Sequence, residues 1–329
     1  MDALRWQSVK TVVRRNRPSQ KPQLWENFPL ALTRRLEFEL SRRVNDGWLD
    51  RERTIRLSQV GFHDDGAPLR MKVIPRQVIS KSLFLYGLFE ISETRLVQSV
   101  LRPGMAFVDI GANIGYYSLI AARLVGPTGL VHSFEPNDAV RARFSQNIQM
   151  NGFANVTVDD RAVTRESGAI DFYLSAWNEN DGISSTVPNA GLSQTAVRVP
   201  CISLDDFAAS LGGRQIDLLK IDVEGAELGV LEGGRRVLGA PKGPALLFES
   251  FDFRAIGTVL EGFGYHVRRL DYTLGGGLEL RTLDDSRESL FSTYEAPNFI
   301  AVKDPRSFDE IMERANDKRS PALRWLGRV

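Results

Sequence analysis

The sequence predicts an α/β protein: a doubly wound, mostly parallel sheet of seven strands, helices on both faces, and an N-terminal helical and irregular cap. Three observations predict it. The stretch Val108-Asp109-Ile110-Gly111-Ala112-Asn113-Ile114-Gly115-Tyr116-Tyr117-Ser118 reads as buried strand, glycine turn and helix, the opening unit of such a sheet. Short apolar runs then alternate with helical patterns as far as Val302. Finally, several runs end in an acid, namely Asp109, Glu135, Asp222 and Glu249. In open α/β sheets, ligands sit at that end of the strands.

Residues 1–25 are basic (Arg5, Lys10, Arg14, Arg15, Arg17, Lys21) and broken by Pro18 and Pro22, which predicts a flexible arm. Residues 26–100 are expected to form the cap. Within it Leu32, Leu36, Leu40 and Val44 make a helical stripe, Ile55–Val60 and Met71–Ile74 suit short strands, Ile79–Gly87 is aromatic and apolar, and Ser92–Val100 reads as a helix. The sheet domain is assigned to residues 101–304. Its strands are Met105–Asp109, Leu130–Phe134, Val156–Val158, Asp217–Asp222 and Ala245–Phe248, with Tyr265–Leu270 and Asn298–Val302 last. Val140, Phe144 and Ile148 mark the helix after Glu135, which stops near Asn151-Gly152. Ile170–Leu174 and Val197–Ile202 suit an antiparallel excursion, and the polar loop Trp177–Thr186 between them is a candidate lid. Residues 305–329 form a C-terminal tail with an amphipathic stretch at Phe308–Ala315 and a contact hint at Trp325 and Leu326.

The 329 residues are 43% hydrophobic and 25% charged, as in an ordinary globular protein. A net charge of +1 gives no polyanion signal, so no nucleic-acid partner is expected. One cysteine, Cys201, excludes an intrachain disulfide and is read as a packing residue. No run approaches the roughly 20 apolar residues of a membrane span, and the start has no apolar leader core; a cytoplasmic location is expected.

The acids decide the ligand chemistry. A dinucleotide turn wants G-x-G-x-x-G facing a pyrophosphate, whereas here the turn is Gly111-x-Asn113-x-Gly115 and Asp109 would repel phosphate. S-adenosylmethionine, with a sulfonium, an ammonium and no phosphate, suits carboxylates better. Glu135 lies twenty residues after Gly115, the spacing at which an acid reaches ribose hydroxyls. Asp160 is placed to accept from the adenine amino group, with Arg161 and Ala162 lining the ring. Asp222 and Glu224 leave another strand and face the methyl-donor pocket, Glu227 suits the first turn of the next helix, and Lys220 is expected to pair with an acid.

Four motifs carry a family resemblance: the glycine turn Val108–Gly115, Ser133-Phe134-Glu135-Pro136-Asn137, the Asn147-x-x-x-Asn151-Gly152 helix end, and Lys220-Ile221-Asp222-Val223-Glu224-Gly225-Ala226-Glu227 followed by Val230-Leu231-Glu232-Gly233. In this order they resemble the FkbM-type methyltransferases over about residues 85–302. The resemblance implies a class I, Rossmann-like methyltransferase fold that uses S-adenosylmethionine. It also implies O-methyl transfer to a hydroxyl of a sugar, glycan or secondary metabolite. It carries Asp109, Gly111, Asn113, Gly115, Glu135 and Asn137 over as cofactor-side residues.

An alcohol is a poor nucleophile, so a base within hydrogen-bond reach is expected. Asp222, Glu224 or Glu249 supplies it, with Glu224 and Glu249 preferred because Asp222 belongs to the donor side. The alternative, Mg²⁺ held by strand-end acids, needs octahedral oxygen ligands. His63, His132 and His266 are scattered, so no histidine metal site is expected. Two other functions compete: a non-catalytic module of the same fold, and a nicotinamide oxidoreductase, against which Asp109 and Asn113 speak.

Overall fold

The computed structural model describes residues 49–57, 68–175, 184–187, 192–272, 277–283, 285 and 296–317. The chain opens with β1 (Arg53–Leu57), β2 (Leu69–Val73), α1 (Val78–Tyr86) and α2 (Ile91–Val100). The glycine turn then joins β3 (Ala106–Ile110) to α3 (Tyr116–Val125), followed by β4 (Leu130–Phe134), α4 (Asp138–Asn151) and β5 (Val156–Asp159). Next come β6 (Ala162–Thr164), β7 (Gly168–Ser175), β8 (Leu192–Ser203) and α5 (Leu204–Ser210). The remainder is β9 (Leu218–Ile221), α6 (Glu227–Glu232), α7 (Arg235–Gly239), β10 (Ala245–Glu249), α8 (Phe253–Gly262), β11 (His266–Tyr272), β12 (Leu278–Arg281), β13 (Asn298–Val302) and α9 (Arg306–Ala315).

The central sheet runs β12-β11-β13-β10-β9-β3-β4-β5. Five neighbouring strands, β5 to β10 in that order, are parallel. β13 is antiparallel to both its neighbours, and β12 is antiparallel to β11. The sheet has eight strands where seven were expected, because Leu278–Arg281 covers the open edge of β11 and buries Leu278 and Arg281. The chain builds outward from β3 through β4 to β5, then returns to place β9 on the other side of β3. The resulting switch point lies at the glycine turn.

Alternation along the strands makes two cores. Phe107, Leu218, Leu247 and Ile300 face one side, against Leu119 and Ile120 of α3 and Leu96 and Val97 of α2. Val108, Ile110, Leu219, Ile221, Leu246 and Phe248 face the other, against Val230, Ile256 and Leu260 of α6 and α8. Both faces are covered, so these parallel strands read as continuous apolar runs.

Ahead of the glycine turn, the described residues form an antiparallel β1–β2 pair and two helices. Buried Asn147 ties β2 to the glycine turn. Its Oδ1 accepts from the Lys72 amide at 2.7 Å and its Nδ2 donates to the Ile114 carbonyl at 2.9 Å. Asn151 repeats the grip on Arg70, accepting from its amide and donating to its carbonyl. The expected antiparallel excursion is present as β7 and β8. The C-terminal stretch is helix α9, which buries Phe308, Ile311 and Ala315 against the body. The basic arm, the Leu32–Val44 stripe, Trp177–Ile183, Trp325 and Leu326 lie outside the described residues. Among the described residues, no helix is long and apolar enough to cross a membrane.

Candidate functional site

The turn after β3 closes against the Asp222 backbone and the Phe144 ring. Gly111 has φ 84, and a Cβ there would lie 1.8 Å from the Asp222 carbonyl oxygen. Gly115 has φ 88, and a Cβ would lie 2.1 Å from the Phe144 ring. Both positions therefore need glycine for conformation and for space. Between them Asn113, at φ 51, accepts from the Ile114 amide with its own Oδ1 at 2.7 Å. Its amide donates to Glu135 Oε2 at 3.0 Å, and the Asn137 amide donates to Glu135 Oε1 at 2.9 Å. Glu135 thus bridges the turn to the end of β4 and keeps lone pairs for a further donor.

Strand register lines up a buried polar file on the α3 side of the sheet. Asp109 is paired with Ser133 on one neighbour and with Lys220 on the other. Ser118 Oγ donates to Asp109 Oδ2 at 2.5 Å and lies 2.8 Å from Ser133 Oγ. Lys220 Nζ lies 2.8 Å from Asp222 Oδ2 and 4.9 Å from the centre of the Tyr117 ring. The Tyr117 hydroxyl donates to Glu90 Oε2 at 2.6 Å. Burial alone would lower Lys220, but the carboxylates of Asp222, Asp109 and Glu90 outweigh it and hold the ammonium above its ordinary value.

A cavity of about 460 Å³ opens at this end of the sheet. Five carboxylates line it: Glu90, Glu135, Asp222, Glu224 and Glu249. Ile110, Phe134, Ala162, Val163 and Phe172 supply its apolar wall. Burial, opposed by two backbone amides, pushes Glu135 up to about 7. Around Glu224, loss of solvent at the carboxyl and the charges of Asp222 and Glu227 give about 7, although part of the residue reaches the surface. Burial, then Asp222, Glu90 and Glu224, drive Glu249 to about 10. Burial and then Glu93 raise Glu90 well above its usual range. The non-glycine residues with positive φ among the described residues are Glu90, Asn113 and Glu224. All three line this cavity. Such backbone strain concentrates at functional sites.

The structure gathers Gly111, Asn113, Glu135, Arg161, Ala162, Asp222, Glu224 and Glu249 around one cavity. Other expected residues fall elsewhere. Asp109 is 1% exposed and sits within the sheet. Gly115 packs on Phe144. The Asn137 side chain caps α4, accepting from Ala139 and Val140. Asp160 is exposed and does not line the cavity, because β5 ends one residue earlier. There Asp159 binds Arg161 through Nη2 at 2.6 Å and His132 at 3.1 Å. Ser184–Thr186, the described end of the candidate lid, lines the cavity, and Ser185 Oγ donates to the Glu224 carbonyl at 3.0 Å. Glu227 lies in the first turn of α6 and accepts from the Gly225 amide at 2.9 Å.

Sequence reading missed Glu90 and Tyr117. A lone acid between Phe89 and a helix carries no pattern of its own. Among the described residues, no group of three or more His, Cys, Asp or Glu is arranged to hold a metal ion. Arg161 is the basic residue of the lining, and Asp159 engages it. The arrangement suits a cationic or hydroxyl-bearing ligand and opposes a pyrophosphate.

A glycine turn at the switch point of a parallel sheet, facing an acid-lined cavity, lies where ligands sit in open α/β sheets. Residues 109–267 match the family model for the methyltransferase FkbM domain. Methyltransferase 1 of Beauveria bassiana is 30% identical over 142 residues, which are 38% of this chain and 57% of the relative. The 2-O-methyltransferase NoeI of Sinorhizobium fredii is 28% identical over 158 residues, 44% of this chain and 63% of its own. The 31-O-demethyl-FK506 methyltransferase FkbM of Streptomyces tacrolimicus is 32% identical over 159 residues, 40% and 60%. The chain therefore spans less than two thirds of each of these relatives. A solved structure of a methyltransferase FkbM from Methylobacillus flagellatus aligns with a TM-score of 0.40 at 16% identity, over 67% of this chain and 52% of that one.

Proposed function

We propose that this chain is an S-adenosylmethionine-dependent O-methyltransferase acting on a hydroxyl of a sugar, glycan or secondary metabolite. The observation that carries the reading is the convergence of Glu90, Glu135, Asp222, Glu224 and Glu249 on one cavity where, among the described lining residues, the one basic side chain, Arg161, is already paired. Two relatives are named for O-methyl chemistry, which supports an oxygen acceptor.

The residues fit the donor. Glu135 is held by two backbone amides, leaving acceptor capacity for both ribose hydroxyls. Ala162, Val163 and Phe134 offer an apolar wall for the adenine, and the missing Cβ of Gly111 lets the Asp222 backbone close on the turn. Asp222, held by Lys220, faces the cationic end. When bound, S-adenosylmethionine supplies an electrophilic methyl group on a cationic sulfur that departs as a neutral thioether. The chain then aligns the acceptor oxygen and removes its proton. Glu224, poised at about 7, takes that proton, and Glu249, protonated until about 10, donates a hydrogen bond to the acceptor.

Titration calorimetry with S-adenosylmethionine and with NADH tests the donor, and transfer of labelled methyl to a cell extract tests turnover. Absence of donor binding at millimolar concentration would refute the reading. Donor binding without transfer to any extract component would favour a non-catalytic module.

A further inference from the structure

The mouth of the cavity leaves hydrophobic side chains in water. Phe251, two residues past the end of β10, is 74% exposed, and Val78, at the start of α1, is 47% exposed. These two residues, far apart in sequence, line the same cavity as the carboxylates, and Ile79 and Phe89 join them there. Several apolar side chains gathered at one pocket mouth, unlike a single exposed one, mark a surface that a ligand covers.

The polar lining is one-sided in charge. Arg161 is its basic residue, and its Nε and Nη2 lie 2.8 Å and 2.6 Å from the two Asp159 oxygens. An anionic group entering the cavity would meet the carboxylates of Asp222 and Glu224 with no free cation among the described lining residues to receive it. A small polyol with no apolar face would leave Phe251 and Val78 as wet as before.

We propose that the acceptor is a neutral molecule that turns its hydroxyls toward Glu224 and Glu249 and lays an apolar face on Phe251 and Val78. This rests on the methyl-transfer reading of the same cavity and adds the chemical class of the acceptor. The charge rule comes from the paired arginine. The apolar-face rule comes from the exposed rim, and both act on one molecule because both sets of residues line one space.

The test uses the full chain saturated with S-adenosylhomocysteine and three probes followed by ligand-observed NMR titration: 4-nitrophenyl β-glucoside, 4-nitrophenyl β-glucuronide and methyl β-glucoside. The expected result is affinity for the aryl glucoside about fivefold or more above either of the others. Phe251→Ala should remove the advantage over methyl glucoside while donor affinity, read by calorimetry, stays at the wild-type value. Equal or tighter binding of the glucuronide, equal binding of methyl glucoside, an unchanged ranking in Phe251→Ala, or no binding of any probe would each overturn the inference. Donor affinity separates the two levels. If S-adenosylmethionine binds and the ranking is absent, only the acceptor class is wrong, whereas if the donor itself does not bind, the underlying methyl-transfer reading is wrong.

Discussion

Replacing Lys220 with Met removes the positive charge that serves three carboxylates. Lys220 is 5% exposed, and its ammonium lies 2.8 Å from Asp222 Oδ2 while also balancing Asp109 and Glu90. Breaking a buried pair by deleting one partner costs about 3–5 kcal/mol. Asp222 keeps 30% of its side-chain surface in water, so the low end, about 3 kcal/mol, is expected at pH 8. With a denaturant slope of about 3 kcal/mol per molar, that is a urea midpoint lower by about 1 M. The pH dependence carries the sharper test. Lys220 has a folded value above its unfolded one, so its contribution is intact throughout pH 5–8 and is lost only as pH rises through the folded value. Buried Asp109 is already raised, by burial against the pull of Lys220 and Ser118. Without Lys220 it rises further, so ionising it in the folded state costs more as pH climbs. The destabilisation of Lys220→Met should therefore be larger at pH 8 than at pH 5. A loss under about 1 kcal/mol at pH 8, or an equal loss at both pH values, would refute the reasoning.

Gly111→Ala should weaken S-adenosylmethionine binding at least about tenfold by calorimetry, since its Cβ would lie 1.8 Å from the Asp222 carbonyl oxygen and φ is 84. If Glu224 is the base, the turnover of a chosen acceptor should rise with pH through about 7, and Glu224→Gln should abolish that limb while Glu249→Gln retains it. A limb near 10 would assign the base to Glu249 instead. Glu135, 7% exposed and raised to about 7, disfavours the folded state when ionised, by nothing below its unfolded value of 4.5 and fully above 7. The ligand-free protein should lose on the order of 3 kcal/mol from this group between pH 4.5 and 7.5, and Glu135→Gln should flatten that slope in urea titrations. Asn147→Ala should cost about 2 kcal/mol and loosen the β1–β2 pair, seen as faster amide exchange at Lys72, because it orphans the Lys72 amide and the Ile114 carbonyl.

The parallel sheet was legible because its local signals agree. Apolar runs, glycine turns and helix stops all recur at the spacing a doubly wound sheet requires, and both buried faces make its strands stand out. The N-x-x-x-N-G helix end was visible as a motif, but its work was not. Asn147 and Asn151 hold a strand some 75 to 81 residues earlier in the chain. The eighth strand escaped notice because Leu278–Arg281 is four residues long and mixes charge with leucine.

By itself, the sequence determined that acids end the strands, that the turn has two glycines, and that Glu135, Asp222, Glu224 and Glu249 belong to the ligand end of a sheet. These are properties of residue type and local spacing, and the backbone periods of strand and helix transmit them directly. The tertiary structure alone decided which of those acids meet in one cavity. Register set Asp109 beside Lys220 within the sheet rather than in the pocket, and one residue of strand length gave Arg161 to Asp159 and left Asp160 in water. It also brought Glu90 of the segment before the family-model match, and Phe251 at the mouth, to the same space. Contacts between residues distant along the chain depend on strand order and packing, which no local spacing encodes.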